Sequence, residues 1–227
     1  GACQFGIKVA LIEGHNMGGD CLNYGCVPSK ALLSSAKHYN AISESSKFGF
    51  SASAEPVNIA EVMAKVQEVI AQIAPHDSVE RFTGLGATVY RGYGSFVDEQ
   101  SVKVNDDIIS AKYFIIATGS SPVVHPIPGL NEVSYLTNET IFNLQATPEH
   151  LVVIGGGPMG CELAQAFLML GIKVSLLNLG KILPRDEIDL VAELRQNMLN
   201  QGLNLYEDIQ IIKISSGTAG QIEISVE

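Results

Sequence analysis

The residues of this chain best suited to chemistry are two cysteines, Cys21 and Cys26, separated by four positions. A bare pair at that spacing admits several readings: two buried thiols, half of a zinc site, or a dithiol that cycles with a disulfide. No second Cys/His cluster is present to complete a tetrahedral zinc site. Pro28 marks a helix start, because proline suits the first helical position. Cys26 then lies near the positive end of that helix, where thiolate is favoured. A stabilised thiolate beside a second thiol is what a dithiol–disulfide redox centre requires.

A second constellation is Leu151-Val-Val-Ile-Gly-Gly-Gly-Pro-Met-Gly160, with G-x-G-x-x-G spacing at Gly155, Gly157 and Gly160. A strand pattern precedes it, and a helix and another strand follow, as a dinucleotide turn requires. The first glycine permits the tight turn and the second admits a pyrophosphate to the backbone. The third lets helix and strand pack closely. The alternative is a glycine turn without a ligand. The next strand ends near Asn178, where an acidic residue would take the adenosine ribose of NADH, and an amide stands there instead. Lys181 is the nearby cation for a 2′-phosphate, with an ordinary solvated lysine as the alternative. Glu13 is the matching acid at the end of the front strand. Its carboxylate is placed to accept ribose hydroxyls, or to stand as a surface glutamate.

These residues need elements to hold them. Gly1–Phe5 reads as a last helical turn stopped by Gly6, and Lys8–Glu13 as a buried strand. A glycine-rich loop leads to the helix near Pro28, with Leu32, Ala36, Tyr39 and Ile42 as its apolar stripe. Ser51–Val57 is a linker. Asn58 caps a second helix, with Glu61 in capping-box position, and Pro75 interrupts it. His76-Asp77 reads as a helix cap. Short strands follow at Thr88–Tyr90, Ser95–Val97, Ser101–Val104 and Ile108–Ile109. Phe114–Ala117 reads as a buried strand. The second unit has strands at Leu151–Ile154 and Lys173–Leu177 and a helix over Glu187–Gln201, with Ile188, Val191, Leu194 and Met198 inward. Strands at Ile209–Ile214 and Gln221–Val226 end the chain. The strand–helix–strand order predicts parallel sheets covered by helices.

The chain has 227 residues, with 14 Lys plus Arg against 24 Asp plus Glu, a formal net charge of −10. That balance argues against a nucleic-acid partner and an anionic membrane surface. No apolar run is long enough for a membrane helix, and no signal peptide is visible. A cytoplasmic protein is expected. Four cysteines are too few for a secreted disulfide scaffold. Cys3 and Cys161 read as structural. The five histidines show no pairing pattern, and none is nominated.

Gly18-Gly-Asp-Cys-Leu-Asn-Tyr-Gly-Cys-Val-Pro-Ser-Lys30 resembles the redox-active disulfide signature of class I pyridine nucleotide–disulfide oxidoreductases, such as dihydrolipoamide dehydrogenase, glutathione reductase and mercuric reductase. Asp20 is the one departure, where that family usually has threonine. Its charge beside Cys21 is expected to raise that thiol's pKa by repulsion. Ile115-Ile-Ala-Thr-Gly-Ser-Ser-Pro122 is similar to the family's turn beside the flavin, through Ala117, Thr118 and Gly119. Gly155–Glu162, with Pro158 and Met159, is similar to its nicotinamide-nucleotide turn. Gly94 matches a flavin-contacting glycine.

The resemblance implies an α/β fold of two Rossmann-like units with parallel sheets plus a small antiparallel meander. An FAD domain would span residues 1–146 and an NAD(P) domain residues 147–227. It implies electron transfer from NAD or NADP through FAD to a disulfide or dithiol substrate, small-molecule or protein. The redox disulfide would be Cys21–Cys26, with Cys21 as the interchange thiol and Cys26 nearer the flavin. The cofactor-binding set would be Glu13, Gly19, Asp20, Cys21, Lys30, Gly94, Ala117, Thr118, Gly119, Gly155, Gly157, Pro158, Met159, Gly160, Glu162 and Asn178. Lys30 and Glu162 would meet as a pair withdrawn from water. No metal site is expected. A dihydrolipoamide-dehydrogenase-like enzyme ranks first and a mercuric-reductase-like enzyme second, with a non-catalytic nucleotide-binding redox sensor as the reading from another class. The resemblance further implies an N-terminal portion of a homodimeric protein, lacking the family's first strand and catalytically silent alone.

Overall fold

The computed structural model describes the backbone of residues 1–227 and every side chain except that of residue 219. The chain forms a mixed α/β structure with two parallel and two antiparallel sheets. Its residues gather into two compact units, one of residues 1–28 and 67–121, the other of residues 29–66 and 122–227.

In the first unit, β1 (Val9–Glu13) pairs in parallel with β2 (Ala87–Arg91), from Val9 opposite Ala87 to Glu13 opposite Arg91. The meander follows as β3 (Gly94–Asp98), β4 (Ser101–Val104) and β5 (Asp107–Ser110), each antiparallel to the next. A short helix, α1 (Gly19–Asn23), carries Cys21 within what reads in sequence as a glycine-rich loop. Leu22 is buried beneath it, and the Asn23 amide donates to the carbonyls of Met17 and Gly19 at 3.1 and 2.8 Å.

Helix α2 (Cys26–Ser43) begins two residues before Pro28. All N–H groups of a first turn lack intrahelical partners, so proline fits inside that turn as well as at its start. Helix α3 (Ile59–Ile73) opens after Asn58 as expected, though Glu61 meets the Asn58 side chain rather than its backbone N–H as a capping box would. The Asn58 side chain accepts from the N–H of Ala60 and donates to Glu61. Beyond Pro75 the expected His76-Asp77 cap is instead part of a 3-10 turn, Ala74–Asp77. Ser78 is the cap of α4 (Val79–Gly84), its Oγ accepting from the N–H of Arg81 at 3.1 Å.

In the second unit, β6 (His150–Ile154), β7 (Lys173–Leu177) and β8 (Asn204–Tyr206) form a parallel sheet in that order. Helix α5 (Pro158–Met169) connects β6 to β7, and α6 (Ile188–Asn200) connects β7 to β8. Phe167, Val174, Leu176 and Met198 are fully buried here. Ile188, expected inward, is 82% exposed: it opens α6, ahead of the turns that carry half-buried Val191 and Leu194 and buried Met198. A hairpin of β9 (Ile211–Ser216) and β10 (Ile222–Val226) closes the chain.

One expected strand is absent. Phe114–Ala117 has no ladder bonds among the described residues, and Ile115 is 93% exposed. An apolar run becomes a strand only when another strand satisfies its backbone groups. Phe114 instead sets its ring edge-on against Phe96, 5.1 Å between centroids. No helix among the described residues is long and apolar enough to cross a membrane.

Candidate functional site

In the first unit the short helix and the start of the long one bring Cys21 and Cys26 together. Both are free, exposed thiols rather than the disulfide that the resemblance implies, and the Cys21 thiol hydrogen-bonds to Cys26. That bond, then burial, then the charge on the Cys26 sulfur, holds the Cys21 thiol above its ordinary range, and Asp77 adds to it. Asp20 is not the cause, contrary to expectation. Its carboxylate turns away to accept the N–H of Ser120 at 3.0 Å. Gly119 stands in the left-handed region at φ +72°, where a Cβ would lie 2.8 Å from Asp20 Oδ2, and the Ser120 bond tethers the Ala117–Ser120 turn to α1. Asp77, well separated in sequence, is the residue this part of the sequence reading missed.

Glu13 ends β1, and its Oε1 accepts the N–H of His15 at 2.7 Å. The Arg91 guanidinium donates to the His15 carbonyl. Gly94 opens β3 where a Cβ would stand 3.1 Å from Val102 and 3.5 Å from Ile12, so a side chain would crowd the junction of meander and parallel pair. Gly19 opens α1 at φ +57°, the conformation that reverses the chain before Cys21.

In the second unit the turn between β6 and α5 is built around its glycines. Gly155 has φ +111° and donates its N–H to Leu177 at the end of β7. A Cβ on Gly160 would lie 2.0 Å from the Gly155 carbonyl oxygen, so helix and turn touch only because that atom is missing. Around Gly157, the cap of α5, a Cβ would meet nothing within 4 Å. Open space at a helix N-terminus, with Pro158 in the first turn, suits a pyrophosphate. Met159 follows in the same turn. The arrangement therefore fits the dinucleotide that the fingerprint implies.

Gly156, unassigned from sequence, is also constrained: a Cβ would stand 2.7 Å from Ile182 and 3.0 Å from Asn178. The Asn178 side chain accepts the N–H of Gly156 at 2.8 Å and donates to the carbonyls of Gly180 and Lys181, each at 2.9 Å. Its amide is thus engaged with backbone, binding the glycine turn to the loop after β7. Lys181 pairs with Asp208 and lies 4.0 Å from Glu207, rather than standing alone in solvent. The Asp208 carboxylate raises the lysine's pKa.

Lys30 on α2 and Glu162 on α5 form an ion pair, as expected, with Glu162 80% covered. Lys30 is 66% exposed, so this is a pair at the surface of the second unit rather than one withdrawn from water. Cys161, its neighbour, is buried, with its thiol donating to the Gly156 carbonyl at 3.5 Å. Burial pushes that thiol up to about 11.

Comparison with known proteins agrees with this geometry. The pyridine nucleotide-disulphide oxidoreductase family matches residues 1–226. The chain is 34% identical over 228 residues to a mercuric reductase of Staphylococcus aureus, covering 99% of this chain and 42% of that protein. It is 33% identical over 219 residues to a dihydrolipoyl dehydrogenase of Acholeplasma laidlawii, covering 94% and 65%. The HOCl-induced flavoprotein disulfide reductase RclA of Escherichia coli superposes with a TM-score of 0.82 at 26% identity, over 99% of this chain and 49% of that one. The chain thus spans about half the length of the curated relatives it matches. Glycine turn, dithiol and matched residues agree: the chain belongs to the pyridine nucleotide-disulphide oxidoreductase family.

Proposed function

We propose that the protein transfers electrons between NAD(P)H and a disulfide or dithiol acceptor through FAD and the Cys21–Cys26 pair. The observation that carries this is the hydrogen bond between two exposed thiols, one of which opens an 18-residue helix. Residues 1–146 would hold FAD, through Glu13, Gly19, Gly94 and the Ala117–Gly119 turn. Residues 147–227 would hold the nicotinamide dinucleotide, through Gly155, Gly157 and Gly160. FAD, when bound, supplies the two-electron step between nicotinamide and cysteines.

The protein's own part is thiol exchange. Cys21 attacks one sulfur of the acceptor disulfide, its proton passing along the hydrogen bond to Cys26. The acceptor S–S bond breaks, and the departing thiolate takes that proton. Cys26 then attacks Cys21 in the mixed disulfide, closing Cys21–Cys26 and releasing the second acceptor thiolate, which solvent protonates. Two electrons have moved to the acceptor. Asp20 keeps the Ala117–Ser120 turn against the helix that carries Cys21.

A second acceptor reading is Hg(II), which two exposed adjacent thiols are suited to grip; one of the relatives above is a mercuric reductase. We take a disulfide as the first choice. The homodimer implied by the resemblance belongs to the same proposal. Thiols should be counted in the FAD-loaded full-length protein before and after anaerobic NAD(P)H. A gain of about two per chain, lost in Cys21→Ser, is the expected result. No gain would identify a nucleotide-binding sensor instead. Turnover with lipoamide, glutathione disulfide and Hg(II) separates the acceptors, and light scattering reads the dimer.

A further inference from the structure

The parallel order β6-β7-β8 puts three loops at one edge of the sheet. They are the glycine turn, the loop of residues 178–183, and the turn at Glu207 and Asp208. Backbone bonds lock the three together. Leu183 donates its N–H to Gly156, Asn178 joins Gly156 to Gly180 and Lys181, and Asp208 donates to Gly180. In an open α/β sheet the adenosine end of a dinucleotide lies at this edge, beyond the strand next to the glycine turn.

Two of the cations at this edge, Lys181 and Arg195, are paired. Glu207 is 5% exposed and accepts from Ile182 N–H and from Arg195 Nε, each at 2.9 Å, with a second Arg195 nitrogen also at 2.9 Å. Arg195 is therefore fixed as the partner of a buried carboxylate, which cannot be left alone cheaply. Lys181 is paired with Asp208. Arg185, in the same segment, is followed at once by Asp186 and Glu187.

We propose that the Arg195–Glu207 and Lys181–Asp208 pairs select the nicotinamide cofactor. They occupy the cations that would otherwise bind the 2′-phosphate of NADPH, so the site takes NADH even though Asn178 offers the ribose no carboxylate. This rests on the nucleotide reading above. A 2′-phosphate would bring about two negative charges to an edge where two carboxylates already balance two cations. NADH brings none there and meets no such opposition.

The test is calorimetric titration of the full chain with 5′-ADP and 2′,5′-ADP, which carry only the adenosine end and need neither flavin nor turnover. The wild type should bind 5′-ADP at least about tenfold more tightly. Asp208→Asn removes the contact partner of Lys181, leaving only Glu207 at 4.0 Å, while keeping a residue type that tolerates the φ of +56° at this turn. It should move the ratio toward 2′,5′-ADP by about tenfold, and Lys181→Ala in that background should abolish the gain. Glu207→Gln, if it folds, should act in the same direction through Arg195. An unchanged ratio in Asp208→Asn, a gain that survives Lys181→Ala, or a wild-type preference for 2′,5′-ADP would overturn the proposal while leaving the nucleotide site standing. Failure of both nucleotides to bind would overturn the nucleotide reading and this proposal with it.

Discussion

The two cysteine types in this chain differ by surroundings rather than by chemistry. Cys21 owes its raised pKa first to a partner, the hydrogen-bonded Cys26, whereas Cys161 owes it first to burial, with the charges of Glu207 and Asp186 adding to it. Cys21 is exposed with a neighbour able to take its proton, whereas Cys161 is buried, and that separates an exchanging thiol from an inert core residue. It also sets a pH dependence. The folded state holds the Cys161 proton more tightly than the unfolded chain, about 11 against 9.0. Its contribution is therefore complete below about pH 9 and is lost as pH climbs through 11. Urea denaturation near pH 8 and again near pH 11 should show about 2–3 kcal/mol more loss in the wild type than in Cys161→Ala. Equal losses would mean that the thiol titrates normally in the fold.

At the scale of elements, the turn between β6 and α5 shows how one motif divides its work. Gly160 serves packing and Gly157 serves the ligand, and the two separate experimentally. Gly160→Ala would drive a methyl into the Gly155 carbonyl, where backbone on both sides cannot yield easily. A loss of about 1–3 kcal/mol in chemical denaturation is expected. Gly157→Ala meets no atom and has φ −76°, so stability should stay within about 0.5 kcal/mol while 5′-ADP binding falls. If Gly157→Ala bound ADP as the wild type does, the pyrophosphate would not sit at this helix end. The Lys30–Glu162 pair joins α2 to α5 with the lysine largely in solvent, so its worth is in placement more than in stability.

For the molecule as a whole, net charge is the governing quantity. At −10 the chain repels itself at neutral pH, and the ion pairs at Lys30, Lys47, Lys181 and Arg195 offset only part of that. Screening reaches general repulsion between exposed charges more than it reaches contact pairs around a buried carboxylate. Raising salt from low to physiological ionic strength should therefore raise the melting temperature. A fall on adding salt would show instead that the pairs dominate the charge balance.

Sequence alone was sufficient where the determinant is local. The G-x-G-x-x-G turn, the Asn58 cap and the meander all depend on residues within a few positions of one another, and these formed as expected. Chemistry that depends on residues far apart in the chain was not legible. The Asp20 carboxylate had two possible neighbours, Cys21 beside it and Ser120 a hundred residues away, and folding chose Ser120. Asn178 is expected at the ribose from its place after β7, and in the fold its amide also holds Gly156, Gly180 and Lys181 together. Glu207 and Asp208 follow the three-residue strand β8, too short to announce itself, yet they determine what Lys181 and Arg195 are free to do. The apolar run at Phe114–Ala117 reads as strand in isolation, but a strand exists only with a partner. Residue type and spacing specify which groups a segment offers; only the tertiary structure decides which distant group takes them, because a hydrogen bond or ion pair needs contact and contact is set by the whole fold.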